Sequence, residues 1–306
     1  MKKNLLFAVF TLVGLSIIGF LIFTVRQSLA NRAIAAEWAV APAITPTLRP
    51  TTKLEITPLY EALSARDGLI GGNGVSYLIR TDASTILLDV GDNPENLAAA
   101  PFVQNMQALG IDWREIERVV ISHPHPDHVG GASAWLRNTV HFGELPGGMG
   151  DRMVFIPTNL NVQGGIHATI PSLPALDIAT TGVIAYAEVF PLSVANPKGY
   201  EQALVVHVDA VGLVLITGCG HPGLERLVER AESLYGQRVV AVVGGLHYKG
   251  ARAEQVDAQI RFLQSRQPVL VALSAHDSGP AALAAFQSAF GDRYHSLRVG
   301  EPIHLP

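Results

Sequence analysis

The run Ser122-His123-Pro124-His125-Pro126-Asp127-His128-Val129-Gly130-Gly131 follows directly on the strand-like residues Arg118-Val119-Val120-Ile121, and no other stretch constrains the chain so strongly. Three imidazoles and a carboxylate leave one strand end within six positions. Residues two apart, His123 and His125, can converge on one ion, while the adjacent Asp127 and His128 can serve a second ion beside it. Pro124 and Pro126 restrict the loop, and Gly130-Gly131 permits a tight entry into a following helix. A His-rich surface loop is the competing reading, and the spacing and strand-end context argue against it. Cys219 is the only cysteine, which excludes an internal disulfide framework and any Cys-rich zinc module. Metal binding must therefore rest on histidine and carboxylate.

The chain around this loop is long and apolar enough to fold. Of 306 residues, 48% are hydrophobic and 16% charged, so a sizeable core can be buried. Net charge is −4 with no Lys/Arg run, which gives no footprint for a phosphate backbone and excludes nucleic acid as the expected partner. Short β-branched runs alternate with helical patterns from Leu54 onward, the signature of layered α/β packing. Strands are predicted over Leu54 to Leu59, Val75 to Arg80, Thr85 to Val90, Arg118 to Ser122, Leu204 to Val208, Leu213 to Thr217, Val239 to Val243 and Val269 to Ser274. Helices are predicted over Pro94 to Leu109, Pro222 to Tyr235, Ala253 to Ser265 and Pro280 to Phe290, each proline suiting a first turn. The Gly-, Pro- and Thr-rich segment Gly143 to Thr181 reads as loops that wall a pocket.

Residues Leu5 to Val25 carry no charge, and 21 residues at ~1.5 Å rise span roughly 31 Å, enough to cross a bilayer core. A retained membrane anchor is preferred to a cleaved signal at Ala33-Ile34-Ala35, because the apolar run exceeds the usual signal length and the site lies far downstream. The expected organisation is a membrane segment over 1–27, a Pro/Thr/Ala-rich linker over 28–53 acting as an extended stalk, and one catalytic domain over 54–306. The domain is expected outside the cytoplasm, or secreted should the segment be cleaved.

With these motifs in view, the sequence resembles the metallo-β-lactamase superfamily, whose hallmark is His-x-His-x-Asp-His after a strand. Further elements are Leu87-Leu88-Asp89-Val90-Gly91, Glu201-Gln202-Ala203-Leu204, Thr217-Gly218-Cys219-Gly220-His221-Pro222-Gly223, Gly244-Gly245-Leu246-His247 and Ala275-His276-Asp277-Ser278-Gly279. The Gly-Cys-x-His element narrows the resemblance to the dihydropterin-ribofuranosyl-aminobenzene-phosphate synthase-like branch. That branch commonly has Cys after the last histidine, where this chain has Asp277. The resemblance implies a four-layer αβ/βα sandwich with two metal ions at one edge. It places His123, His125 and His221 at a first ion, and Asp127, His128 and His276 at a second, with a bridging water or hydroxide. Zinc is the expected metal, with iron or manganese compatible.

Other residues take their expected roles from these motifs. Asp127 is expected to orient the nucleophile, and His247, at another predicted strand end, to meet substrate or stabilise developing negative charge. Asp89 is expected to orient a metal-bound imidazole. Cys219 occupies the approximate place of a bridging aspartate found in many superfamily members; it would either ligate as thiolate or pack as a small buried residue, and packing is the preferred reading. The glycines Gly68, Gly71, Gly72 and Gly74 precede a strand and so do not form a phosphate cradle; they suit a loop near the metal edge. No Gly-x-Ser-x-Gly element is present, which removes the main serine-hydrolase reading. The expected activity is metal-dependent hydrolysis of a phosphoester or acyl-type small molecule. Two alternatives are an iron redox enzyme on the same ligands and a metal-containing, membrane-tethered sensor without turnover.

Overall fold

The computed structural model describes residues 2–305, with side chains described from Leu12 onward; Met1 and Pro306, the outer ends of the expected segments, lie outside the described residues. The chain divides into two units, one of residues 1–41 with 185–199 and the other of residues 42–184 with 200–306.

The first unit contains helix α1, Lys2–Trp38. It continues well beyond residue 27, so residues 28–38, within the expected linker, are helical. The reason is local: Ser28 to Trp38 contains four alanines and neither Gly nor Pro, and such a stretch extends an existing helix without a new nucleation cost.

The second unit is a sandwich. Its first sheet is built from β1 (Leu54–Tyr60), β2 (Ser76–Thr81), β3 (Thr85–Leu88), β4 (Arg118–Val120), β5 (Met153–Ile156) and β6 (Gly165–His167), in that spatial order. Between β3 and β4 lies α2 (Pro101–Ala108), and between β4 and β5 lie the short helices α3 (Pro126–Val129) and α4 (Ala132–Leu136). After β7 (Ile178–Thr180), the hairpin strands β8 (Ile184–Ala187) and β9 (Lys198–Glu201) flank the one-turn helix α5 (Leu192–Ala195). The second sheet follows: β10 (Leu204–Val208), β11 (Gly212–Thr217), helix α6 (Leu224–Tyr235), β12 (Val239–Gly244), helix α7 (Ala253–Gln264), β13 (Leu270–Leu273), helices α8 (Ala275–Ser278) and α9 (Pro280–Phe290), and β14 (Tyr294–Ser296). Its spatial order is β14-β13-β12-β11-β10-β7, and β15 (Ile303–Leu305) returns to the first sheet beside β1.

Period-two alternation sorts the first sheet's side chains into two cores. Tyr77, Ile79, Ile86, Leu88 and Val120 face Val206, Val214, Ile216, Val243 and Ala272 of the second sheet. Leu78, Leu87, Val119 and Ile121 face outward onto Phe102, Val103 and Met106 of α2. On the far side, α6 lays Leu227, Val228, Ala231 and Leu234 against β11 and β12. The result is helix, sheet, sheet, helix, the expected four layers.

Three expectations change. The helix predicted from Pro94 begins at Pro101, because Asn93 closes the preceding turn by bonding both N–H and C=O of Leu97 and Asn96 adopts φ 52. Residues 143–181 are not all loop, since they contain β5, β6 and β7. The expected stalk is pinned at its far end. Thr51 is buried, bridges Val208, donates to the His207 carbonyl at 2.9 Å and accepts from Asp209 N–H at 2.8 Å, so its backbone groups are satisfied as in a strand instead of by water.

Candidate metal centre

Parallel pairing brings the candidate residues to one edge. Leu88 at the end of β3 pairs with Val120 of β4, so Asp89 and the histidine loop leave the first sheet side by side. In the second sheet Thr217 of β11 pairs with Gly244 of β12, which pairs with Leu273 of β13. Cys219 and His221, His247, and His276 therefore leave three adjacent strands at the same level. Carboxyl ends of parallel strands are where such folds hold ligands. Gln202 joins the two sheets, donating its backbone N–H to the Ser122 carbonyl and its Nε2 to the Ile121 carbonyl, both at 2.9 Å.

Within this edge, the imidazoles form two overlapping groups, with His123 and His128 in contact across them at 4.0 Å between ring centroids. His123, His125 and His221 stand edge to edge, with ring centroids 4.5 to 4.8 Å apart. His123 is fully buried, its Nδ1 lies 2.9 Å from Ser122 Oγ, and its Nε2 has no hydrogen-bond partner. A buried imidazole nitrogen without a partner is costly unless something else satisfies it, and a cation does so. In the second group, His128 Nε2 and His276 Nε2 each lie 4.0 Å from Asp127 Oδ2.

The Cys219 thiol lies between the groups. Its Sγ is 3.0 Å from His128 Nε2 and 3.3 Å from His276 Nε2, and it shares one compact set of possible ligand atoms with His123 and His221 and another with Asp127, His128 and His276. A third set combines it with His247 and Asp277. Cys219 is thus buried near the site, as both of its expected roles require, and its neighbours there are possible ligand atoms. The position in the Gly-Cys-x-His element was the signal that pointed there.

Four buried carboxylates order the loops. Asp89, at φ 57, accepts from Ser122 N–H at 2.7 Å and faces His128 Nδ1 at 2.7 Å. Glu201 accepts the successive N–H groups of Cys219, Gly220 and His221 at 3.1, 2.8 and 2.7 Å, so one side chain sets the course of the ligand-bearing turn. Asp277 accepts from His247 N–H at 3.0 Å, which holds His247 in the left-handed region at φ 52, a strain that needs such support. Glu61 accepts from Ala275 N–H at 3.0 Å, just before His276, and from the Tyr77 hydroxyl at 3.0 Å. Sequence reasoning did not single out Glu61 as a site residue, and singled out Glu201 only as part of a motif. An isolated glutamate in an apolar run was the available clue. Gly74, at φ 104, lies so close to the Asp127 carbonyl that a Cβ would collide with it, which gives the glycine-rich loop its place beside the site.

Burial and neighbours set the proton affinities. Burial, then the surrounding imidazoles, pushes His123 and His221 well down, and burial with the charge of His128 takes His276 down to about 3. Burial also acts to lower His128, but Asp89 and Asp127 overcome it and raise this imidazole to about 9. Burial, then the nearby carboxylates, pushes the Cys219 thiol up. Histidines held neutral suit cation binding, and a cation would reverse the thiol's shift.

Beside His221 and His247 a cavity of about 490 Å³ opens, with Arg226, Tyr248, Gln255 and Gln259 also in its wall. It is of a size for a small ligand.

Comparison with known proteins agrees with this architecture. The model of the metallo-beta-lactamase superfamily matches residues 69–141, from the glycine-rich loop through the histidine loop. The 7,8-dihydropterin-6-methyl-4-(beta-D-ribofuranosyl)-aminobenzene-5'-phosphate synthase of Methanocaldococcus jannaschii is 23% identical over 268 residues, covering 76% of this chain and 89% of the relative. A solved metal-dependent hydrolase of the beta-lactamase superfamily superposes with a TM-score of 0.57 at 20% identity, covering 82% of this chain and 98% of the other. The metallo-beta-lactamase fold protein YhfI of Bacillus subtilis gives 0.51 at 11% identity, covering 83% and 100%. The likeness to these structures is one of fold.

Proposed function

Starting from a chain with the metallo-β-lactamase fold and that superfamily's histidine loop, we propose that it is a membrane-tethered, metal-dependent hydrolase of a phosphoester or acyl-type small molecule. The observation that carries this is the convergence of His123, His125, His221, Asp127, His128, His276 and Cys219 from both sheets onto one edge, beside a small-molecule-sized cavity. His123, His125 and His221 would hold one divalent ion, zinc by the donor set, and Asp127, His128 and His276 a second, with the Cys219 thiol as a further donor. Such ions would lower the pKa of a bound water toward neutrality and polarise the bond under attack.

The protein's own residues supply placement. Asp89 fixes His128, Glu201 fixes the Cys219–His221 turn, and Asp277 fixes the backbone of His247. His247 lines the cavity next to His221, where an imidazole can meet the substrate oxygen that gains charge. Asp127, half-buried at the edge of the histidine cluster, would accept a hydrogen bond from the attacking water. The phosphate in the name of the methanogen relative, together with Arg226 in the cavity wall, favours phosphorylated substrates among those compatible with the site. The tether is α1, whose uncharged apolar run Leu5 to Val25 is long enough to span a bilayer.

The test is elemental analysis of the chelator-free purified protein, followed by a panel of phosphoesters, phosphodiesters, lactones and thioesters. Close to two first-row ions per chain and turnover on one class are expected. A protein that holds no metal after zinc loading would end the proposal.

A further inference from the structure

The first unit has a second apolar feature besides its helix. Between β8 and β9 the hairpin turns through Val189-Phe190-Pro191-Leu192-Ser193-Val194, and Phe190 and Val194 are 78% and 51% exposed. The C-terminal side of this turn is fastened to α1 at two points. The guanidinium of Arg26 donates to the carbonyls of Val194 and Ala195, each at 3.0 Å, capping the last turn of α5, whose carbonyls have no intrahelical partner. Lys198 on the returning strand pairs with Glu37 of α1 at 2.5 Å.

Arg26 marks a particular level on that helix. It is the first charged residue after the uncharged run Leu5 to Val25. Before it, Leu12, Leu15, Ile18, Phe20 and Ile22 are all more than half exposed; beyond it, Ala30 and Ile34 are buried. An uncharged apolar helix with bare side chains that meets its first charge at an arginine has its membrane boundary near that residue, where an arginine settles best. The contact with Arg26 places the exposed turn at the same level.

We propose that the turn Val189–Val194 is a second membrane contact, with Phe190 and Val194 entering the headgroup region of the bilayer in which α1 is embedded. The inference rests on the membrane tether proposed above. It explains a patch that is otherwise unfavourable: a bulky aromatic and a β-branched residue left in water on a turn, held beside Arg26 at the end of the uncharged helical run. One helix allows a protein to swivel about the membrane normal. A contact fixed to that helix by two polar links resists the motion.

The experiment uses the full chain reconstituted into vesicles of phosphatidylcholine and phosphatidylglycerol, with nitroxide labels introduced by Phe190→Cys, Val194→Cys and, as an exposed polar control, Glu95→Cys. All three positions are exposed, and wild type treated with the same reagent corrects for reaction at buried Cys219. Flotation first shows whether the chain is in the membrane. Labels at 190 and 194 are expected to collide several-fold more with oxygen relative to a water-soluble nickel chelate than the label at 95. A chain that floats while all three labels meet the chelate equally overturns the hairpin contact and leaves the tether standing. A chain that stays with the aqueous fraction overturns both.

Discussion

Asp89 and His128 lie 39 residues apart, and both are fully buried, with Oδ2 of one 2.7 Å from Nδ1 of the other. This contact decides which nitrogen of His128 is free to ligate. With the Nδ1 proton directed at the carboxylate, Nε2 faces Asp127, Cys219 and His276.

Asp89→Asn keeps the volume and removes the charge. The amide can turn its N–H toward Nδ1, which drives the ring to the tautomer that carries its proton on Nε2. We expect metal affinity at the second ion to fall ~10–100-fold, the range for orienting partners of metal-bound histidines, with the first ion little changed. Equal two-ion isotherms for wild type and variant would show that Asp89 does not set the tautomer.

Cys219→Ser tests the sulfur directly. Serine preserves the volume approximately but is a poor ligand for a soft-tolerant site at neutral pH. The expected result is loss of close to one ion per chain during dialysis, with the fold retained by circular dichroism. Full retention of both ions and of turnover would return Cys219 to a packing role.

His276→Ala tests the fold-level claim, since this residue reaches the site only if β13 ends level with β4. Removing its imidazole should weaken the second ion by at least ~10–100-fold and reduce turnover by orders of magnitude, because one ion cannot clamp both attacking and leaving oxygens. An unchanged isotherm would place His276 outside the site.

The metal-free protein should have a stability maximum close to neutral pH. His276, lowered to about 3, and His123 and His221, both held well down, favour folding while neutral, so their contribution is present above the usual value of 6.5 and is lost as pH falls below it. His128, raised to about 9, works the other way: its contribution is full below 6.5 and is lost as pH rises through 9. The raised acids Glu61, Glu201 and Asp277 and the raised Cys219 thiol act in the same sense as His128, their contributions being lost as pH rises. Thermal unfolding of chelator-treated protein across pH 5 to 10 measures this, and a melting temperature that keeps rising toward pH 5 would contradict it.

How much of this was legible in advance depended on the range of the signal. The histidine loop and the central strands are local patterns, and β3, β4, β10, β11, β12 and β13 lie where alternation and β-branched runs put them. His221 and His276 were legible because each follows an apolar run within a recognisable element. The roles of Glu61 and Glu201 were not, because a buried carboxylate is explained only by the amide groups it meets, and those come from Ala275 and from the Cys219–His221 turn. The start of α2 was missed for a similar reason, since the Asn93 turn competes locally with helix. The three-residue strands β6, β7 and β15 are too short to show a period and exist through their pairing partners. The pinned end of the linker likewise depends on β10, which is distant in sequence.

The closing strand has a consequence for how the protein comes into being. β15 pairs Leu305 with Leu54 and Ile303 with Ile56, so the first strand of the sandwich is completed by residues made long after it. On a ribosome, β1 therefore waits with one edge open until β15 emerges, and the imidazole of His276 likewise arrives well after the histidine loop. Such long-range pairing is slow compared with helix formation, and meanwhile the open edge is a template for wrong partners. A polypeptide lacking β15 would keep that edge exposed.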